Sequence, residues 1–303
     1  MQALLWTSRS LAHLTEALKQ KGYAVSTYVV RWILKLQNYS LQANRKMHEG
    51  GKHPDRDAQF LYIAAQKEKH LAAGNPVLSI DGKKKELIGN YKNNGREWRP
   101  RNAPEHVNVY DFVDRDGGRA TPYGIFDITQ NKGLVILGIS FDTARFAVNA
   151  LRQWWMKIGR AAYSRANAIL ITADGGGSNG SRVRLWKIAL QELANEWGLP
   201  VTVCHYPPGT SKWNPIEHKM FSYLSINWRG KPLRTLDAAA QYIRATTTKS
   251  GLTIDAQIDN TIYQKGIKIS KKALRAVNIK KHDFHGEWNY TIYPQPPPLF
   301  WKH

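Results

Sequence analysis

The sequence predicts an α/β protein, a mixed sheet flanked by helices and preceded by a small all-α helix-turn-helix module. Three observations lead there. From about residue 76, short apolar runs alternate with amphipathic helical stretches. The earliest of those runs are joined as hairpin strands, whereas the later ones are separated by helices long enough to be crossovers. The first fifty or so residues carry helical periodicity alone.

In the N-terminal module, Leu11, Leu14 and Leu18 recur at helical spacing and Gly22 supplies a stop. Ser26 suits an N-cap, and Val29, Ile33 and Leu36 form the apolar stripe of a second helix. Its outer face carries Tyr28, Arg31 and Lys35. Two short helices about a glycine turn, the second basic outside, make a helix-turn-helix pattern for DNA. Residues 1–53 hold eight Lys/Arg against two acids, which favours DNA over a protein groove. "ANRKMHEGGKHPDRD" (43–57) is polar and Gly-containing and reads as a linker, with 54–75 as linker or helix.

"PVLSID" (76–81) is a short strand ending in an acid, followed by the basic, Asn/Gly-rich "GKKKELIGNYKNNGREWRPR". "YGIFDIT" and "GLVILGIS", joined by "QNK", read as an antiparallel hairpin. Phe146, Ala150, Trp154 and Ile158 then fall on one helical face. "AILITAD" is the fourth strand, and Trp186, Ala189, Leu193 and Trp197 mark a helix. "PVTVCHYPP" is a strand and "NPIEHKMFSYLSINW" a helix. The order β-β-β-α-β-α-β-α, over residues 76–230, is that of a ribonuclease-H-like fold and not the uniform alternation of a Rossmann domain. Residues 231–303 read as a C-terminal extension, with a helix over 234–247 and a Pro-rich tail, "YPQPPPLFWKH".

The composition narrows the function. The 303-residue chain has 44 Lys+Arg against 23 Asp+Glu, a net charge of +21 and a pI near 10.0, for which a polyanionic partner is the simplest account. The single cysteine, Cys204, excludes an internal disulfide framework and a Cys-paired zinc site, and its strand context predicts a buried thiol. No apolar run approaches the roughly 18 residues of a membrane span, and there is no signal-peptide pattern, so a cytoplasmic, nucleoid-associated setting is expected.

Gly175, Gly177 and Gly180 in "ILITADGGGSNGSR" satisfy the G-x-G-x-x-G dinucleotide pattern, but the context fails. Asp174 places a negative charge where a pyrophosphate needs none, and the next strand ends at "CHYPP" with no acid for a ribose. Glu192 and Glu196 lie inside the intervening helix. A strand-terminal carboxylate does suit metal-dependent phosphoryl transfer, in which two Mg²⁺ ions need several anionic oxygens. Three acids stand at matching places: Asp81 ends the first strand, Asp174 ends the fourth, and Glu217 opens the last helix. Strands one and four are neighbours in the inferred order, so Asp81 and Asp174 face each other across one sheet edge. Each acid also has an ordinary reading. Asn214-Pro215-Ile216-Glu217 is a good capping sequence, and an Asp before Gly82 or Gly175 can be a turn former. Asp142 is expected to cap the helix starting near Thr143, and Asp127 to be structural. His205 and His218 flank the site region as supporting or DNA-phosphate contacts.

The stretches "SIDGKKKELIGNYKNNGREW", "ITADGGGSNGSRVRLWK", "HYPPGTSKWNPIEHKMFSYLSINWRGKPL" and "HGEWNYTI" closely resemble the Rhodopirellula-type DDE transposases, the ISAzo group of bacterial insertion sequences. "NPIEH" is also similar to the mariner-like superfamily. The resemblance runs from about residue 6 to residue 292 and implies a ribonuclease-H-like catalytic domain. Carried over, its acidic triad is Asp81, Asp174 and Glu217, holding two Mg²⁺ or Mn²⁺ ions. Two departures stand out: Gly82 follows the first acid where a hydroxyl residue is expected, and members carry a longer N-terminal region, so the chain reads as a shortened copy. The expected activity is cleavage and strand transfer at double-stranded element ends, by a dimer or larger assembly. Lys83, Lys84, Lys85, Arg96, Arg99 and Arg101 are expected to hold phosphates, Trp98 to wedge at a base step, and Arg182 and Arg184 to reach the same strand. The alternatives are a non-catalytic remnant that represses by occupying element ends, and a host nuclease of the same fold.

Overall fold

The computed structural model describes residues 9–42, 53–111 and 118–296. Most of the expected linker (43–52) and the end of the Pro-rich tail (297–303) lie outside the described residues. The chain divides into two units, Met1–His48 and Glu49–His303.

In the first unit, α1 (Leu11–Gln20) begins at Ser10, whose Oγ accepts from the His13 N–H at 3.2 Å. Gly22, at φ 88°, turns the chain in a conformation closed to most side chains. Ser26 caps α2 (Thr27–Leu36) by accepting from the Val29 N–H at 3.3 Å, as its position in the sequence predicts. The apolar face is rotated from the expected one. Val30 is buried while Leu36 is 62% exposed. At about 100° per residue, Leu36 lies about 120° round the helix from Val30. Tyr28, Arg31 and Lys35 all sit on the exposed side.

The second unit starts with α3 (Arg56–Ala72). Then come β1 (Val77–Gly82), the two-residue β2 (Glu86–Leu87), and the hairpin β3 (Arg119–Asp127) and β4 (Lys132–Gly138). Helix α4 (Ala144–Trp154) buries Phe146, Ala150 and Trp154 and continues through a π-helical turn (Trp155–Gly159) into α5 (Arg160–Ala162). The doubly buried β5 (Ile169–Ala173), α6 (Arg184–Trp197) and β6 (Val201–His205) follow. Pro215 opens a helix whose first full turn, Glu217–Phe221, is π-helical and which continues as α7 (Ser222–Asn227). The chain ends with α8 (Leu236–Arg244), β7 (Thr253–Asp259), α9 (Lys271–Arg275), β8 (Ile279–Lys281) and β9 (Asn289–Ile292).

The strands form one sheet in the order β7-β4-β3-β1-β5-β6-β9-β8, with β2 paired to β3. Its central five, β4-β3-β1-β5-β6, take two antiparallel steps and then two parallel ones, the ribonuclease-H-like arrangement that the sequence predicts. Residues beyond 230 do more than extend this domain. β7 lies parallel to β4 at one edge, and β9 pairs antiparallel with β6 at the other.

Alternation along the strands sorts the core into two layers. Leu78, Ile80, Ile125, Ile136 and Ile171 point towards α4 and α6 and meet the fully buried Trp154 and Trp186. On the opposite face, Val135, Leu137 and Ile254 meet Phe221, Leu224 and Trp228, while Ile63 of α3 packs on Val77, Leu170 and the buried thiol of Cys204. Two glycines let the Glu217 turn approach this second face. A Cβ on Gly124 would fall 2.6 Å from both the Met220 methyl and the Phe221 ring, and one on Gly133 would meet the Met220 sulfur.

Candidate active site

Strand register brings the first two acids together. Ile80 of β1 pairs with Ala173 of β5, so Asp81 and Asp174 leave neighbouring parallel strands at the same edge. Parity fixes their side: Ile80 and Ala173 face α4 and α6, so the acids point to the opposite face, where the Glu217 turn packs. One residue of slip in either strand would bury its acid under α4 and α6 instead.

Asn214 and Ser79 hold the third acid to this pair. The Ser79 hydroxyl donates to Asn214 Oδ1 at 2.5 Å and accepts from the Ile216 N–H at 3.0 Å, tying the helix start to β1. The Asn214 amide nitrogen donates to the Ile80 carbonyl at 3.1 Å and to Asp174 Oδ1 at 3.2 Å. The sequence predicts Asn214 as an N-cap; its side chain is spent on β1 and Asp174 instead. Only its carbonyl serves the helix, accepting from the Glu217 N–H at 3.0 Å.

The electrostatics record the convergence. Burial pushes the Asp81 carboxyl well above the usual carboxylate range, and the charges of Asp174 and Glu217 push it further. The Gly82 N–H, 2.8 Å from Asp81 Oδ1, opposes them. Asp174 is raised to about 6 by burial, with the Asn214 bond opposing and Glu217 adding to the rise. Asp81 and Asp174 line a cavity of about 690 Å³ with the Gly175–Gly177 loop, Arg182, Trp288 and a fourth acid, Asp142. Gly180 lets the loop fold on itself, since a Cβ there would stand 3.0 Å from the Gly175 carbonyl.

Asp81 and Asp174, both raised by burial and by the charge of Glu217 beside them, form with it a set of hard oxygen donors short of positive charge, which suits Mg²⁺ or Mn²⁺. The family model described as the Rhodopirellula transposase DDE domain matches residues 1–294. The chain belongs to this DDE transposase family. No curated protein sequence matches it. Among solved structures it is similar to the Mos1 transposase paired-end complex with the left transposon end, at 13% identity and TM-score 0.45, over 80% of this chain and 72% of that one. The pre-cleavage Mos1 transpososome is comparable, at 12% identity and TM-score 0.46 over 80% and 72%. So is the mariner Mos1 paired-end complex with Mn, at 13% identity and TM-score 0.45 over 80% and 72%.

The DDE transposase chain distributes its predicted DNA contacts unevenly. Arg182 is exposed and shares the acidic cavity. Lys84 and Lys85 line a second cavity, of about 550 Å³, with Lys92 and Arg119. Trp98 is fully exposed, and Arg96 and Arg101 are exposed on the same polar stretch. Others are engaged within the protein. Lys83 pairs with Glu86 and sits over the Trp228 ring, Arg99 pairs with Glu97 and Glu105, and Arg184 donates to the Ile269 carbonyl. Tyr28, Arg31 and Lys35 belong to the first unit.

Two histidines and two acids complete the comparison with the sequence. His205 is buried, its ring bonded to the Asp174 carbonyl and the Tyr290 hydroxyl, so it braces the site and cannot reach a phosphate. His218 is exposed and bonds the Lys212 carbonyl. Asp127 is structural, as expected, accepting from Tyr163 and from the Thr129 and Gln130 N–H groups. Asp142 is not the cap of α4, since Thr143 Oγ1 accepts from the Phe146 N–H at 3.2 Å. Its neighbour's better geometry leaves Asp142 facing the cavity. The signal for this in the sequence is its place just past β4, whose C-terminal end lies at the same sheet edge as those of β1 and β5.

Proposed function

We propose that the chain cleaves and joins DNA at the ends of an insertion sequence, by in-line attack first of water and then of the freed 3′-hydroxyl on a phosphodiester. The observation that carries this reading is the arrival of Asp81, Asp174 and Glu217 on one face and one edge of the sheet. Asp81, Asp174 and Glu217 would hold two divalent ions, Mg²⁺ or Mn²⁺; when bound, such ions activate the attacking oxygen and stabilise the leaving one.

The remaining roles fall to this chain's own groups. Asn214 and Ser79 fix the direction of Asp174 and the start of the Glu217 helix, so the carboxylates are set before DNA arrives. The Gly175–Gly177 loop leaves space beside Asp174 for a sugar-phosphate chain, and Arg182 offers a bidentate phosphate contact from the same cavity wall. Lys84 and Lys85, with Trp98 exposed on the adjoining polar stretch, are suited to a flanking duplex, and Tyr28, Arg31 and Lys35 to recognition of the terminal repeat. Joining two ends calls for two protomers on DNA.

The test is nicking of a labelled element end. Cutting that needs Mg²⁺ or Mn²⁺ and is lost in Asp81→Asn, Asp174→Ala and Glu217→Gln supports the proposal. Equal cutting by wild type and Asp174→Ala refutes the site. Binding by all variants, with cutting by none including wild type, favours a repressor.

A further inference from the structure

Away from the acidic triad, three metal-ligating side chains meet where α3 begins and where β8 returns as β9. One donor atom each from His53, Asp55 and His285 lie within 4.8 Å of one another, and this group is the one such set among the described residues. His285 Nδ1 lies 2.7 Å from Glu287 Oε1 and its Nε2 lies 3.0 Å from Asp55 Oδ2. His53 Nδ1 lies 4.0 Å from the same Asp55 oxygen and accepts from the Asp55 N–H at 3.2 Å.

The bonding poses a charge problem. If His285 donates its Nδ1 proton to Glu287, its Nε2 lone pair faces a carboxylate oxygen, and two acceptors stand 3.0 Å apart. A positive charge has to lie between them. A proton on Nε2 meets that need for His285 and Asp55, while His53 is held beside them by the bond it accepts from the Asp55 N–H and by its edge-on contact with Trp288. A metal ion can draw on all three donors once the His53 ring turns its lone pair from the Asp55 N–H to the ion. With metal–nitrogen and metal–oxygen bonds of about 2.0–2.2 Å, tetrahedral ligands stand roughly 3.3–3.5 Å apart. Asp55 and His53 are partly exposed, with side chains 48% and 35% accessible, so small rotations can close the remaining gap. Glu287 on the outer imidazole nitrogen is the carboxylate–histidine arrangement that fixes a ligating tautomer.

We propose that His53, Asp55 and His285 form a second metal centre, for a single Zn²⁺-type ion, that clasps the start of α3 to the β8–β9 turn. Two imidazoles and one carboxylate suit Zn²⁺ or Co²⁺ and discriminate against Mg²⁺, so the two centres take different metals. The clasp reaches the wall of the acidic cavity through one side chain. The His285 ring stacks on Trp288, with centroids 4.4 Å apart, and Trp288 lines the acidic cavity. Next along the strand, Asn289 exchanges hydrogen bonds with Gln59 of α3, whose amide also donates to the His205 carbonyl. An ion at the clasp therefore braces one wall of the catalytic cavity without touching substrate.

The experiment is equilibrium dialysis of the full, chelator-stripped chain against Zn²⁺ in excess Mg²⁺, with metal counted per chain. Wild type and the Asp81→Asn/Asp174→Asn double variant should each hold about one Zn²⁺. His53→Gln and His285→Gln should bind at least tenfold more weakly, and Glu287→Gln about 10–100-fold more weakly. Co²⁺ loading should give a visible absorption band in wild type that His53→Gln lacks. Since His285 sits at φ 45° in a tight turn and its replacement can perturb folding, His53→Gln, at the edge of α3, is the deciding variant. Unchanged Zn²⁺ affinity in His53→Gln, loss of Zn²⁺ in the triad variant alone, or no retained Zn²⁺ in wild type overturns the proposal and leaves a protonated His285 as the clasp.

Discussion

Replacing Asn214 by alanine tests the mechanical link between the sheet and the third acid. The substitution removes two donated bonds, to the Ile80 carbonyl and to Asp174, and the acceptor of the Ser79 hydroxyl. Ser79 keeps its bond from the Ile216 N–H, so two buried groups, the Ile80 carbonyl and the Ser79 proton, lose partners. At about 1–3 kcal/mol for each unsatisfied group, with partial relaxation, the expected loss is about 3 kcal/mol. For a unit of this size that is a fall in melting temperature of about 6–12 °C. Cutting should fall further than stability alone requires, about 100-fold at a temperature where both proteins are folded, because Asp174 and the Glu217 helix lose their common anchor. Asn214→Asp keeps the shape and the Ser79 contact but sets one more carboxylate directly against Asp174. It should be destabilised without divalent ions and recover when Mg²⁺ is added. Urea melts and single-turnover nicking measure the two effects. If Asn214→Ala melts within about 0.5 kcal/mol of wild type and cuts at the wild-type rate, the amide is not the anchor and the reasoning fails.

Mg²⁺ or Mn²⁺ should raise the melting temperature more at pH 8 than at pH 5.5. Asp174, with its pKa raised to about 6, and Asp81, raised further, must lose protons before they accept an ion, and Asp81→Asn should remove most of the effect. Gly124→Ala should cost about 1–3 kcal/mol in chemical denaturation, because the new methyl meets the Phe221 ring, and it should slow cutting by displacing the Glu217 turn. Burial lowers the His70 pKa to about 4 from an ordinary 6.5. The folded state thus binds fewer protons than the unfolded chain between those values. Stability from this group is complete above about pH 6.5 and is lost as pH falls towards 4, by about 3 kcal/mol. The difference in urea stability between wild type and His70→Gln, taken at pH 7.5 and again at pH 4.5, should change by that amount. An unchanged difference would show that His70 titrates normally.

The parts of the fold legible in the sequence are those whose signals are local. Asp81 and Asp174 stand out because an acid closing a doubly apolar strand has few reasons to be there, and Ser26 and Gly22 announce helix ends through backbone chemistry. The rest depended on contacts distant in sequence. The Asn214 amide is claimed by Ser79, 135 residues away, and by Asp174, 40 residues away, while its neighbours spell a capping motif. "TIDAQID" of β7 mixes polar and apolar residues because it is an edge strand, half-exposed in places, and β8 and β9 have three and four residues. Such short pieces become strands only by pairing with a sheet already present. Leu36 went astray through helix phase, since every third or fourth residue fits more than one stripe until a partner helix selects one.

That both outer strands come from the last quarter of the chain has a consequence for how the protein is made. A ribosome that has released residues up to β6 has produced both strands that end in the site's acids, yet β4 and β6 still present unpaired backbone to the surroundings until residues 253–292 emerge. Products that stop early would stick to one another through those open rims. A frameshift late in the reading frame should therefore yield insoluble material and not a DNA-occupying fragment that competes with the full-length protein.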